Sequence, residues 1–395
     1  MKNILFSMSG GTTPVINSTL YGLIDEAKKS KLFQNIYISK YGIDGLIKHH
    51  FILLNNISSQ KLKKLKFTPG SYFGISRNPK ITDAIYSKIK KNLIKNNITH
   101  FVNIGGNGSL EQTLEFKKKI NCIQQIAFAP KTVDNDLGDK DFKTVFFTPG
   151  FPTCINFWIR MLNLINIENI GAKEHDKVIV CQTFGRDTGH ITAACRLFDL
   201  KNKMPLIYLI PEDQQDKKNV LRKIKLFIKK YGRAIVIMGE GYKIKNFNIY
   251  KDSFGQSMFG SSSSSASQQL VNFLIKNKIQ SRAFMPTIIQ RVSDFVYLKK
   301  DNEVAEKIGR NIIKEFKKNK SGFMCTLSRM KNKNFYFYNT VNLESCINFK
   351  RKLEKKYFLR NKFNVSKKYL DYLIDIKKFT KIPDTNFYNK NFFKL

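Results

Sequence analysis

Negative charge is scarce in this chain. Its 395 residues carry 30 aspartates and glutamates against 69 lysines and arginines, a formal net charge of +39. Arginine is scarce as well, at 12 residues against 57 lysines. Sequence-selective base reading relies on the planar arginine fork, so a lysine surplus does not imply it. Lysine, asparagine, isoleucine, phenylalanine and tyrosine share AT-rich codons, and drift in an AT-biased genome accounts for the charge without a selected partner. The expectation is non-specific attraction of anions and no specific nucleic-acid partner. No uncharged apolar run reaches the length of a membrane span, so no transmembrane helix is expected. The first apolar run, "NILFSM", enters a glycine turn without a small-residue cleavage site and reads as a strand, not a signal peptide. Cysteine is sparse and scattered (Cys122, Cys154, Cys181, Cys195, Cys325, Cys346), with no C-x-x-C. This argues against a disulfide framework or zinc site and fits a reducing, cytoplasmic setting. Neither a Walker loop nor G-x-G-x-x-G is present.

What is there is alternation. "NILFSM", "NIYISK", "HFVNIG", "IQQIAFAP", "KVIVCQTF", "PLIYLIP" and "RAIVIMGEG" read as strands. Between them lie segments of helical period: Pro14 to Lys29, Pro79 to Asn97, Leu110 to Lys119, Phe151 to Ile167, Gly189 to Leu200 and Val220 to Lys230, with Ala266 to Lys278 after the last. This pattern predicts an α/β fold, a parallel sheet covered by helices on both faces. The serine run Ser261 to Gln269 reads as a loop capping the following helix. The last 46 residues, Lys350 to Leu395, hold 14 Lys/Arg and 4 Asp/Glu and read as an added helical cap or tail.

Polar chemistry gathers where strands end. "SMSGGTTP", "NIGGNGSL", "APKTVDND", "QTFGRDTGH" and "MGEGY" each follow an apolar strand, and open α/β sheets bind ligands beyond the carboxyl ends of their strands. Glycines at Gly10-Gly11 and Gly105-Gly106 let backbone N–H groups approach a phosphate. Lys131-Thr132-Val133-Asp134-Asn135-Asp136 gathers two carboxylates, one suited to accept a proton and the other to hold a metal or order the turn. Lys131 would neutralise phosphate charge. Arg186 suits a phosphoryl oxygen, Glu240 suits sugar hydroxyls, and Arg282 and Arg291 suit a second phosphate. Four of the 12 arginines (Arg77, Arg186, Arg282, Arg291) fall at or beside these loops, where lysine cannot replace a bidentate fork.

The strings "SGGTTPVIN", "GISR", "IGGNGS", "PKTVDND", "FTPGF", "FGRDTGH", "GEG" and "PTIIQR" resemble the phosphofructokinase family, in that family's order, over Ile4 to Arg291. The resemblance implies two Rossmann-like α/β domains of three αβα layers: a donor-binding domain (1–148 plus about 290–345) and a sugar-phosphate domain (149–289), followed by a basic C-terminal extension (346–395). It implies Mg2+-dependent phosphorylation of the 1-hydroxyl of fructose 6-phosphate, a step of glycolysis, by a homodimer or homotetramer. Asp134 would be the base, with Thr132 beside it on the substrate. Gly11, Arg77, Gly108 and Lys131 would face the donor, and Asp136 and Asn107 the metal. Arg186 would stabilise the transferring phosphoryl group, with Phe184 and Gly185 lining the sugar and Glu240 on its hydroxyls. Arg291 would bind the 6-phosphate beside Ile288, helped by Lys177 and Arg282 from a neighbouring subunit. Lys131 is similar to the pyrophosphate-using branch, whereas Gly108 is similar to ATP users. Pyrophosphate is the expected donor, with ATP as the alternative and a degenerate anion- or nucleic-acid-binding copy as a second alternative.

Overall fold

The computed structural model describes residues 2–76, 81–243, 265–293, 298–330, 335–346 and 348–380. It divides into two compact units, Met1–Thr153 with Arg291–Arg351 and Cys154–Gln290 with Lys352–Leu395. Among the described residues the strands, in chain order, are β1 (Asn3–Met8), β2 (Asn35–Ser39), β3 (Phe51–Leu53), β4 (Ile98–Gly105), β5 (Gln125–Pro130), β6 (Val178–Thr183), β7 (Leu206–Leu209), β8 (Ala234–Gly239), β9 (Ser281–Phe284), β10 (Phe323–Arg329), β11 (Tyr336–Asn342), β12 (Phe358–Leu359) and β13 (Asn364–Val365).

The first unit holds a sheet of order β11-β10-β5-β4-β1-β2-β3. Its middle is parallel, as the alternation predicts, but both edges are not: β3 runs antiparallel to β2 and β11 antiparallel to β10. A parallel crossover needs a dozen or more residues, and the short link from Arg329 to Tyr336 permits only a hairpin. Strand order reverses between β1 and β4. The register pairs Met8 with Ile104 and Gly105 with Pro130, so the ends of β1, β4 and β5 lie level. Leu5, Phe101, Ile126 and Phe128 of the sheet join Leu93, Leu110 and Leu114 in one buried cluster.

Helices Ile16–Ser30 and Lys299–Lys317 cross in the same unit. Ile308, Ile312 and Ile313 recur at helical spacing and are fully buried, which is why this lysine-rich segment is a helix with one apolar face. Two glycines set the closeness of the crossing. A Cβ on Gly22 would stand 2.1 Å from the Glu306 carbonyl oxygen, and one on Gly309 would stand 2.3 Å from that of Thr19. Asp301, buried on the second helix, accepts hydrogen bonds from Gly150 N, Thr153 N and Thr153 Oγ1, and so pins the "TPGF" turn.

The second unit holds the all-parallel order β7-β8-β6-β9. Val178, Val180, Ile207, Val236 and Met238 meet Ile224, Leu270 and Leu274 of its helices. Ser265 caps helix Ala266–Lys276 by accepting from Gln268 N; residues 261–264 of the serine run lie outside the described residues. The single helix expected over Gly189 to Leu200 is instead a short α-turn, His190–Ala194, followed by a 3-10 turn, Cys195–Asp199. The Asp199 carboxylate takes Lys203 N and Met204 N and turns the chain there. The C-terminal segment from Lys352 groups with this unit. Tyr369, Tyr372, Leu373 and Ile376 of helix Lys367–Lys377 are buried, and Tyr208 N donates to Phe363 O. No helix among the described residues is long and apolar enough to cross a membrane.

The helix crossing yields a direct test. Gly309→Ala drives a methyl into backbone that no rotamer change can relieve, and should cost about 1–3 kcal/mol in chemical denaturation. An unchanged midpoint would show that the crossing is looser than this geometry.

Candidate active site

The level ends of β1, β4 and β5 bring three of the sequence's polar stretches together. After β1 the chain turns at Gly10, where φ is +78, a left-handed conformation open to glycine at little cost. A Cβ there would meet Lys131 Nζ at 3.1 Å, Ser109 Oγ at 3.4 Å and Gly106 N at 3.8 Å. The glycine turn, the start of helix Asn107–Lys119 and the lysine after β5 therefore share one corner. Lys131 is 1% exposed, and its ammonium donates to the Gly11 carbonyl at 2.5 Å. Gly108, in the first turn of the helix, faces open space: a Cβ added there meets nothing within 4 Å.

Beyond Lys131 the chain folds into a tight polar turn. Thr132 Oγ1 accepts from Asp134 N at 3.1 Å. Asn135, between the two aspartates, has φ +54 and is fully buried. Its Oδ1 accepts from Thr148 N, joining the turn to the "FTPGF" stretch. Asp136 is held from the facing helix: Asn107 Nδ2 donates to its Oδ2 at 2.7 Å and to its carbonyl at 2.9 Å. The other oxygen, Oδ1, is buried without a hydrogen-bond partner. Burial raises the pKa of this carboxyl, against the opposing pull of Asn107, the turn's backbone, Arg351 and Thr132. Arg77 lies outside the described residues, although Ser76 before it bridges Ser9 beside the glycine turn.

The second unit gathers a separate set. The loop after β6 carries Phe184, Gly185 and Arg186, and the loop after β8 carries Glu240. Arg186 Nε lies 3.9 Å from Glu240 Oε1, so the two predicted residues meet. They meet because Gly241 lets the loops touch: a Cβ there would stand 1.8 Å from the Arg186 carbonyl oxygen. Phe184 N donates to Gln290 Oε1, which also accepts from Trp158 Nε1. This buried glutamine ties the 3-10 turn Thr287–Arg291 to the end of β6 and fixes where Arg291 begins. Ile288 on the same turn is 56% exposed. Lys177 precedes β6, half-buried. Arg282, on edge strand β9, pairs with Asp176 at 2.5 Å and is largely exposed.

Four residues in these arrangements escaped sequence reasoning: Gln290, Asp301, Glu212 and Arg351. Glu212 accepts from Gly189 N and Leu353 N, bracing the loop that carries Arg186, and burial raises its pKa. None of the four was itself assigned a role from the sequence. The one available signal was arginine itself at position 351, in a tail where nearly every other base is lysine.

The two glycine positions make opposite predictions. Gly10→Ala should lose about 1–2 kcal/mol from the left-handed backbone alone. Gly108→Asp should hold or gain up to about 1 kcal/mol, because it fills open space in a helical first turn and an acid favours that end. Denaturant midpoints of the two variants check both signs.

A phosphofructokinase family model matches residues 3–314. Among known proteins, the chain is 24% identical over 397 residues to a pyrophosphate–fructose 6-phosphate 1-phosphotransferase of Xanthomonas campestris, covering 95% of this chain and 91% of that one. It is 29% identical over 247 residues to the enzyme of the same name from Rhodospirillum rubrum, covering 60% and 58%. Its fold is similar to that of a pyrophosphate-dependent phosphofructokinase from Nitrosospira multiformis, with a TM-score of 0.83 and 24% identity over 99% of this chain and 94% of that one.

Proposed function

The chain belongs to the phosphofructokinase family, and we propose that it transfers a phosphoryl group from pyrophosphate to the 1-hydroxyl of fructose 6-phosphate, giving fructose 1,6-bisphosphate. The observation that carries the choice of donor is the buried Lys131 ammonium under the Gly10–Gly11 turn. A fixed cation in that corner offsets charge on a leaving phosphate, and backbone N–H groups of the glycine turn and the helix start add to it.

Asp134 is the general base. Its backbone is held by Thr132, and it takes the proton of the attacking hydroxyl. Arg186 receives charge from the transferring phosphoryl oxygens, as a planar guanidinium does best. Glu240, within 4 Å of it, steers that guanidinium and accepts from sugar hydroxyls. Phe184 and Gly185 line the sugar, and Arg291 and Ile288 lie at its 6-phosphate. Lys177 and the exposed Arg282 on the edge strand complete that phosphate site in a homodimer or homotetramer. The setting is a reversible step of glycolysis in the cytoplasm.

The residues fit magnesium. Asp136 Oδ1 is a buried acceptor with no partner, and among the described residues no three His, Cys, Asp or Glu side chains cluster to hold an ion by themselves. Magnesium is commonly held by one or two carboxylates together with substrate phosphates. When bound it would neutralise phosphate charge. Asp136 would hold it, and Asn107, which donates to that carboxylate, would keep Asp136 in place.

The open space at Gly108 favours a second reading, ATP as donor, because it leaves room for a nucleotide's α-phosphate. A coupled fructose 6-phosphate assay with each donor separates the two. Pyrophosphate should support turnover, and Asp134→Asn should lower it by about 10²-fold or more. Lys131→Gly should reduce turnover with pyrophosphate by about 10-fold or more with little change in KM, the pattern of lost transition-state stabilisation. Wild-type preference for ATP, with pyrophosphate kinetics untouched by Lys131→Gly, would overturn the pyrophosphate reading.

A further inference from the structure

Arg351 lies beyond the residues matched by the family model, in the segment whose composition reads as a basic tail. It is nevertheless 1% exposed. Its Nε donates to Asn135 O at 3.0 Å and its Nη2 to Asn135 Oδ1 at 2.6 Å. Nη1 donates to Val145 O at 2.8 Å and to Asp139 O at 3.3 Å. The guanidinium stacks 4.4 Å from the centre of the Phe142 ring. The backbone joins in: Arg351 N donates to Asp136 O at 2.6 Å, Gly138 N donates to Phe349 O at 2.7 Å, and Lys350 bridges Leu137 antiparallel. The segment therefore lies along the back of the polar turn, and Arg351 grips the residue between the two aspartates.

We propose that Arg351 is a positioning residue for phosphoryl transfer, clamping Asn135 in its left-handed conformation so that Asp134 and Asp136 project at fixed angles. The inference rests on the reading of those two carboxylates as base and metal holder. Three features carry it. Asn135 occupies a backbone region that a non-glycine residue holds only when its surroundings impose it. The guanidinium binds that residue through both its carbonyl and its side-chain oxygen, a two-point grip that a lysine ammonium cannot reproduce in one plane. Finally, the clamp sits directly behind the turn, where a shift of about 1 Å in a reacting group costs roughly 10²-fold in rate. The charge of Arg351 also favours the ionised form of Asp136.

The test compares Arg351→Gln and Arg351→Lys with wild type, using Lys352→Gln as an exposed neighbour control. Arg351→Gln should lower kcat by about tenfold or more while KM for fructose 6-phosphate stays within about threefold. The magnesium concentration for half-maximal rate should rise, and Arg351→Lys should recover part of the loss. A folded Arg351→Gln protein with kcat within about twofold of wild type and unchanged magnesium dependence overturns the proposal, because a merely structural arginine lowers Tm and leaves both untouched. If Arg351→Gln does not fold, Asn135→Gly is read instead. It permits the left-handed backbone but removes the gripped side-chain oxygen, leaving only the carbonyl, and must lower kcat in the same way for the proposal to stand. If wild type turns over neither pyrophosphate nor ATP, the functional reading fails separately. Calorimetry with Mn2+ and pyrophosphate then decides: weaker binding by Arg351→Gln keeps the clamp, and equal binding removes it.

Discussion

Taking an ammonium group out of water costs several kcal/mol unless fixed dipoles or counter-charges receive it, and Lys131 is buried to 1% exposure. Much of the first unit's local design follows from housing that charge. The Gly11 carbonyl is aimed at it, which requires the left-handed turn at Gly10. The turn closes tightly over the lysine because Gly10 has no Cβ, which would stand 3.1 Å from Nζ. Lys131 N in turn donates to Gly105 O, so the lysine's own backbone is locked to the end of the neighbouring strand. A cation held this way needs no reorganisation when an anion arrives, the condition under which electrostatic stabilisation is largest.

The second unit solves a different problem. Arg186 is partly exposed, so its direction comes from its neighbours. Glu240 supplies a charge within 4 Å, and the contact at Gly241 brings the two loops together. Glu212 and Gln290 brace the two ends of the loop that bears Arg186, at Gly189 and at Phe184. Both units thus follow one rule. The groups expected to touch substrate sit on strand-end loops, and buried polar side chains from remote sequence fix those loops.

That rule explains what the sequence made legible. Strands β1, β5, β6 and β8 are buried along their whole length, mostly apolar, and followed by glycine or polar turns, because both faces are covered. The residues placed at their ends were readable for the same reason. The braces were not. Asp301 lies in a lysine-rich helix and Gln290 in a short turn, and nothing local to either announces a partner more than a hundred residues away. The tail was legible as a helical cap, which helix Lys367–Lys377 bears out, but not in what it buries. Composition counts charges, whereas Tyr369, Tyr372 and Arg351 are buried by contacts that only the fold creates. The edges β3 and β11 were missed because short antiparallel strands break the strand–helix rhythm on which the reading depended.

The position of β10 has a consequence for synthesis. Strand β5 is finished at Pro130, and its neighbour on one side, β4, is already made. Its other edge is closed by β10, which does not begin until Phe323. All four strands of the second unit's sheet are translated in between. The nascent chain must therefore carry the stretch "QIAFAP", buried along its whole length in the finished fold, with one row of backbone groups unpaired while the second unit's sheet is assembled. An open hydrophobic edge of this kind templates pairing with other chains.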